Sequence, residues 1–100
     1  MIFTCMILLA LDGDTKDCDD GRRVRLWGID APEIEQTGGT VAQEALGRFA
    51  GARATCEAKG RSYGRTVGKC KAIGVDMSCF LIGSGVAEEW IKFSGGAYSQ

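Results

Sequence analysis

Apolar residues run almost without a break from Ile2 to Ala10 and then give way to Leu11-Asp12-Gly13-Asp14. That change reads as a β-strand over Ile2–Leu11 followed by a tight turn. Thr15–Cys18 returns as a short strand, and Asp19-Asp20-Gly21 is a second turn. Arg22–Ile29 then alternates, with Val24, Leu26 and Gly28 on one face and Arg23, Arg25 and Trp27 on the other. These segments predict a three-stranded meander. Asp30–Gly39 is a loop, stiffened by Pro32 and ended by Gly38-Gly39. Thr40 followed by Gln43 has the spacing of a capping box, and Val41, Ala45, Phe49 and Ala52 form one helical stripe. Arg53–Ala58 reads as a strand, Lys59–Gly64 as a basic turn and Arg65–Ile73 as the returning strand. Asp76 or Ser78 caps a short helix that runs to Gly83 or Gly85, and a polar tail begins at Ser94. The order β-β-β-α-β-β-α predicts a mainly β fold with helices: one domain over residues 1–100, built as a five-stranded OB-type barrel.

Ile2–Ala10 has no basic leader and no obvious cleavage site, so it reads as the first strand and not as the core of a signal peptide. It is too short to cross a membrane as a helix, and no membrane association is expected. Fifteen glycines against one proline fit a fold rich in tight turns. The formal net charge of −1 gives no global positive field of the kind that non-specific nucleic-acid binders use. A nucleic-acid role must therefore rest on a local cluster of Arg and Lys.

The chain has five cysteines and no histidine, and no Cys-x-x-Cys occurs, which argues against a zinc site. Cys5 and Cys18 flank the Asp12–Asp14 turn, and Cys56 and Cys70 flank Tyr63-Gly64 in the same way. Such symmetry fits two cross-strand disulfides; four small buried free thiols fit it as well. Cys79 is left over on the second helix. It reads as a buried structural thiol, because no histidine base is present to activate it.

Candidate chemistry concentrates in Asp14 and in the run Arg25-Leu26-Trp27-Gly28-Ile29-Asp30-Ala31-Pro32-Glu33. This places Asp14, Asp30, Glu33 and Arg25 at strand ends and turns. Hard oxygen ligands suit Ca²⁺ or Mg²⁺, and a fixed guanidinium beside them suits a phosphate. Each motif alone has an ordinary explanation. Asp12-Gly13-Asp14 is a common hairpin turn, Asp30-x-Pro-Glu a common entry to a helix, and Tyr63-Gly64-Arg65 a common hairpin tip. Trp27, Trp90 and Phe93 are of a type to stack bases, but packing on the barrel is the expectation for them.

In combination, Asp12-Gly13-Asp14-Thr15, then Arg25-Leu26-x-Gly28-Ile29-Asp30-Ala31-Pro32-Glu33, then Tyr63-Gly64-Arg65 resembles the staphylococcal nuclease-like (thermonuclease) family over roughly residues 3 to 98. The resemblance implies an OB barrel with helices. It implies Asp14 and Asp30 as carboxylate ligands of Ca²⁺, and Ala31 as a ligand through its backbone carbonyl. Glu33 corresponds to the general base, Arg25 and Arg65 to the pair that holds the phosphate under attack, and Tyr63 to a tyrosine at the nucleotide phosphate. Thr15 stands beside the metal, and Asp12 either holds the turn or supports the ligands. The implied reaction is Ca²⁺-dependent hydrolysis of DNA and RNA by a monomeric enzyme. The pairs Cys5 with Cys18 and Cys56 with Cys70 resemble those of secreted bacterial members, which implies a secreted or periplasmic location. Three departures stand against the pattern. Arg61 replaces a residue that is often acidic, Ile91 and Phe93 replace tyrosines, and the chain stops at Gln100, where the family usually continues into a third helix. The alternative function is a non-catalytic OB module that binds nucleic acid or protein.

Overall fold

Alternation of small apolar and polar residues builds the first strand, β1 (Ile2–Ala10), with Cys5 and Ile7 turned into the core. An irregularity in its pairing between Ile7 and Leu9 resets the alternation. Ala10 again points inward, while Leu8 and Leu9 are both exposed, as one extra residue in a strand requires. The computed structural model describes residues 1–99. After β1 come β2 (Thr15–Cys18), β3 (Arg23–Leu26), β4 (Ile29–Asp30), α1 (Gly39–Gly47), β5 (Arg53–Ser62), β6 (Arg65–Ala72), β7 (Val75–Asp76), α2 (Met77–Gly83), β8 (Glu88–Glu89) and α3 (Ile91–Ser94).

The main sheet has the order β3-β2-β1-β5-β6-β7, and a further pairing of β3 with β6 closes five of its strands into a barrel. All pairings in that sheet are antiparallel except the closing one, which sets Val24 beside Thr66, Arg25 beside Val67 and Leu26 beside Gly68. This mainly β architecture, a closed five-stranded barrel with three helices, is compatible with an OB-type fold. Inward-facing Val24, Leu26, Ala54 and Ile29 are fully buried, as are Ala42 and Leu46 of α1 and Met77 and Leu81 of α2. Phe49, just past α1, meets Phe80 of α2 edge to face at 5.3 Å.

Two disulfides brace the barrel. Cys5–Cys18 ties β1 to β2, and Cys56–Cys70 joins directly opposed residues of β5 and β6. The fifth cysteine departs from expectation: Cys79 is exposed, because it lies on the outer side of α2 while Met77, Ser78 and Leu81 face inward.

Several element boundaries differ from the sequence reading. The strand expected over Arg22–Ile29 is broken at Trp27-Gly28, and Ile29-Asp30 pairs instead with Glu89 and Glu88. Gly28 allows the break, with φ of +82° and a close approach to the Tyr98 ring that leaves no room for a Cβ. Helix α1 starts at Gly39 behind Gly38 without a side-chain cap, so the Thr40–Gln43 capping box does not form. Gln43 instead donates to the carbonyls of Ala10 and Leu11. The buried face of α1 is Gly39, Ala42 and Leu46, and Val41 of the expected stripe points to solvent. Gly39 fixes that rotation, since a Cβ there would lie 2.0 Å from the Glu33 carbonyl oxygen. The second cap is as expected: Asp76 accepts a hydrogen bond from the Cys79 amide at 2.9 Å. Strand β5 runs on to Ser62, which confines the basic turn to Tyr63-Gly64. The one-turn helix α3 and the short β4–β8 pair were not foreseen.

Candidate nucleic-acid site

Asp12 organises the first turn. Its Oδ1 accepts from the amides of Asp14 at 3.1 Å and Thr15 at 3.0 Å, the arrangement that makes Asp a turn former. Gly13 packs so closely on Ala42 and Ala31 that a Cβ would approach their Cβ atoms to 2.5 and 2.8 Å. The turn is thereby pressed against α1 and the loop after β4, and Asp14 is driven inward to 7% exposure.

The Asp14 carboxylate is the hub. Its Oδ1 accepts from the Thr15 hydroxyl at 3.1 Å, and its Oδ2 accepts from the Ala31 amide at 3.3 Å. Arg25 of β3 brings Nη2 to 3.4 Å of Oδ2, with both side chains largely buried. Arg65 of β6 reaches the same point from across the closing seam and donates from Nη1 to the Thr15 hydroxyl at 3.2 Å. The Ser62 carbonyl receives Arg65 Nε at 3.2 Å and holds the guanidinium in place. Burial lifts the Asp14 carboxyl to about 6, with Arg25 pulling the other way and the neighbouring Asp12 adding to the rise. The protein thus compensates this buried charge only in part. Hard oxygens and an under-compensated carboxylate are a donor set that fits a divalent cation in kind.

Asp12, Asp14, Thr15, Arg25, Ala31 and Arg65 are therefore brought together. Asp30 and Glu33 stand apart from this hydrogen-bonded network. Both line a hollow of about 670 Å³, together with Glu88 and Gln36, which adjoins the network at Ala31. Among the described residues, no three Asp, Glu or Cys side chains come close enough to hold a metal ion on their own. The Glu33 amide donates to Gln36 Oε1 at 2.7 Å, which fixes the loop that carries the glutamate.

A second hollow of about 420 Å³ opens beside Arg25, lined by Trp27, Lys59, Tyr63, Trp90 and Phe93. Trp90 and Phe93 meet edge to face at 4.5 Å, and the Arg25 guanidinium lies 5.7 Å from the Trp90 ring. Both rings are about half exposed, so the expectation that they pack on the barrel does not hold for them. Both face the hollow from the segment at the start of α3; their aromatic character was the available signal. Ile91 is exposed and is not part of this hollow. Tyr63 stands at the hairpin tip, 97% exposed, in a left-handed conformation with φ of 51°.

The C-terminal segment is fastened over this side of the barrel by Glu89. Its carboxylate accepts from the Ser94 and Ser99 hydroxyls and from the Tyr98 amide, and the serine hydroxyls hold it below the usual glutamate range. The Tyr98 ring lies 6.0 Å from Trp27, and its hydroxyl reaches Asp76 at 3.4 Å. Burial, with the Asp76 charge adding to it, raises the Tyr98 phenol well above the usual range.

No protein-family model matches the chain, and no curated protein matches it.

Proposed function

We propose that this protein is a staphylococcal nuclease-like phosphodiesterase that hydrolyses DNA and RNA with Ca²⁺. The observation that carries the proposal is the convergence of Arg25 and Arg65 on the Asp14–Thr15 pair, next to a hollow walled by Trp90 and Phe93. Two guanidiniums on one point offer paired donors to phosphate oxygens, and the exposed rings offer a stacking surface to a base.

In this reading Asp14, Asp30 and the Ala31 carbonyl hold the cation, with Asp12 and Thr15 supporting Asp14. Held there, a Ca²⁺ ion would supply Lewis-acid charge for phosphodiester hydrolysis. Arg25 and Arg65 bind the phosphate and neutralise charge that grows on the five-coordinate phosphorus. Glu33 orients the water and takes its proton, and Tyr63 contacts the neighbouring phosphate. Two buried disulfides suit an oxidising compartment, which supports a secreted or periplasmic site of action.

One observation favours a second reading, a nucleic-acid-binding barrel without turnover: neither Asp30 nor Glu33 is joined by a hydrogen bond or ion pair to the Asp14–Arg25–Arg65 network among the described residues. Digestion of DNA and RNA with Ca²⁺, Mg²⁺ or EDTA separates the two. The nuclease reading expects Ca²⁺-dependent cleavage that EDTA abolishes. Arg25→Ala should lower the rate by about 10²–10³-fold, as removal of one transition-state donor does. Glu33→Gln should abolish most of the rate without altering the melting temperature. Salt-sensitive binding with no cleavage, from folded protein in any metal, would select the second reading.

A further inference from the structure

The hairpin tip that carries Tyr63 divides two hollows. On one side lies the aromatic hollow beside Arg25. On the other runs a larger groove of about 1080 Å³, between the 19–22 turn and the ends of β5 and β6. Its charged lining is Arg22, Arg23, Arg61 and Arg65 against Asp17 and Asp20. A chain with net charge −1 thus collects four guanidiniums and only two carboxylates in one concavity. Arg65 belongs both to this groove and to the Asp14 site, so the two adjoin at that residue.

The arginines are held in position by contacts that leave donors over. Arg23 uses Nε to bind Asp17 at 2.9 Å. Arg22 lies 4.0 Å over the Phe3 ring and has Nε 3.6 Å from Asp20; its Nη1 is buried without a hydrogen-bond partner among the described residues and is not among the donors open to a ligand. Each guanidinium carries five N–H donors in a fixed fork. Cys18, also part of the groove wall, is pinned to β1 by its disulfide. The result is a cationic concavity much larger than a single phosphate.

We propose that this groove binds the sugar-phosphate backbone of the nucleic-acid strand that continues from the phosphate at Arg25 and Arg65, with Arg22, Arg23 and Arg61 contacting successive phosphates. The proposal rests on the reading of the Arg25–Arg65 site given above. A polyanionic strand fits better than a single small anion, because the donors stand on both sides of the groove, Arg22 and Arg23 opposite Arg61 and Arg65, and Arg65 also belongs to the proposed phosphate site. Tyr63 at the divide offers its face to a base as the strand passes from one hollow to the other.

The test is fluorescence anisotropy in EDTA, which prevents turnover, with a twelve-residue oligothymidylate and a thymidine dinucleotide bearing a 5′-phosphate. Wild type should bind the long probe at least about tenfold more tightly than the dinucleotide, with a steeper salt dependence. Arg22→Gln/Arg23→Gln should erase most of that difference and flatten the salt slope by about 1.4, near 0.7 for each lost phosphate contact. Its dinucleotide affinity should be unchanged. Arg61→Gln, on a different strand, gives a second measurement of the same loss on the long probe, with melting temperatures confirming that each variant is folded. Equal affinity of wild type for both probes would overturn the groove while leaving the phosphate site standing. So would equal weakening of both probes in the Arg22/Arg23 variant. Displacement of the long probe by polyglutamate as readily as by unlabelled oligothymidylate would reassign the groove to acidic peptides. Binding of neither probe by wild type would remove the phosphate site, and the groove's assignment with it.

Discussion

At the scale of single residues, Lys16 is a buried charge without a strong partner. It is fully buried in the barrel, with Nζ 3.4 Å from Met77 Sδ and 4.0 Å from Cys56 Sγ, both weak acceptors. Burial pushes its ammonium down to about 8 from the ordinary 10.5. At about 1.4 kcal/mol for each pH unit, that depression costs the fold about 3 kcal/mol at neutral pH. Lys16→Met keeps the buried stem and removes the charge, so it should stabilise the protein by about 2–3 kcal/mol in urea denaturation at pH 7. The sign with pH follows from proton counting. Between about 8 and 10.5 the unfolded chain holds a proton that the folded chain lacks, so wild-type stability rises with pH through that window. Lys16→Met should show none of this rise. Nothing in the local sequence announced Lys16: Thr15–Cys18 is too short for an alternation to separate inside from outside. Asp14, Arg25 and Arg65 were legible because motif and position agreed. The positions of Asp30 and Glu33 were not, because the start of the loop between Ile29 and Gly39 is anchored by contacts distant in sequence, Ala31 on Asp14 and Ile29 and Asp30 on Glu89 and Glu88.

Among the elements, the Tyr63-Gly64 hairpin was readable as a turn, whereas Ile73 reads as the end of a strand and the Ile73-Gly74 hairpin with β7 has no counterpart in the sequence reading. Tyr63-Gly64 and Ile73-Gly74 both link paired strands through two residues of positive φ, the conformation that matches strand twist. Asn is the favoured residue at the first position, whereas Ile is β-branched and disfavoured there. Ile73 has φ of 55° and is 76% exposed, so its side chain gains little from packing. Ile73→Asn should therefore raise stability by about 1 kcal/mol, measured by thermal or urea unfolding, with no effect on nucleic-acid chemistry. The rotation of α1 was less legible than its existence. Its composition of Gly, Ala, Val and Leu offers several weak stripes, and close packing under the Glu33 carbonyl selects among them. The two-residue strands β4 and β8 carry no periodicity at all. They form because the chain turns at Gly28, where the Gly28 carbonyl accepts from the Trp90 amide at 2.8 Å.

For the molecule as a whole, the cross-links carry a large share of a small stability. Domains of this size are held by about 5–15 kcal/mol in total. Each disulfide closes a loop whose ends are 13 or 14 residues apart, worth about 3 kcal/mol in the chain-entropy account. Cys56→Ala/Cys70→Ala should lower the unfolding free energy by about that amount, and loss of both bridges by about twice as much. Urea denaturation of the two variants and of reduced wild type checks this. Barrel closure adds a consequence in time. The parallel seam of β3 and β6 joins segments about forty residues apart, a long-range pairing of the kind that forms slowly. Arg25 and Asp14 come together within the local β2–β3 hairpin, but the hairpin bearing Arg65 arrives only when the seam shuts. A chain with the seam still open therefore holds Arg25 beside Asp14 but lacks Arg65, the second guanidinium of the proposed phosphate site. On the proposed reading, assembly of the two-arginine site therefore depends on closure of the barrel, and a variant that opens the seam loses the site before it loses the local hairpins.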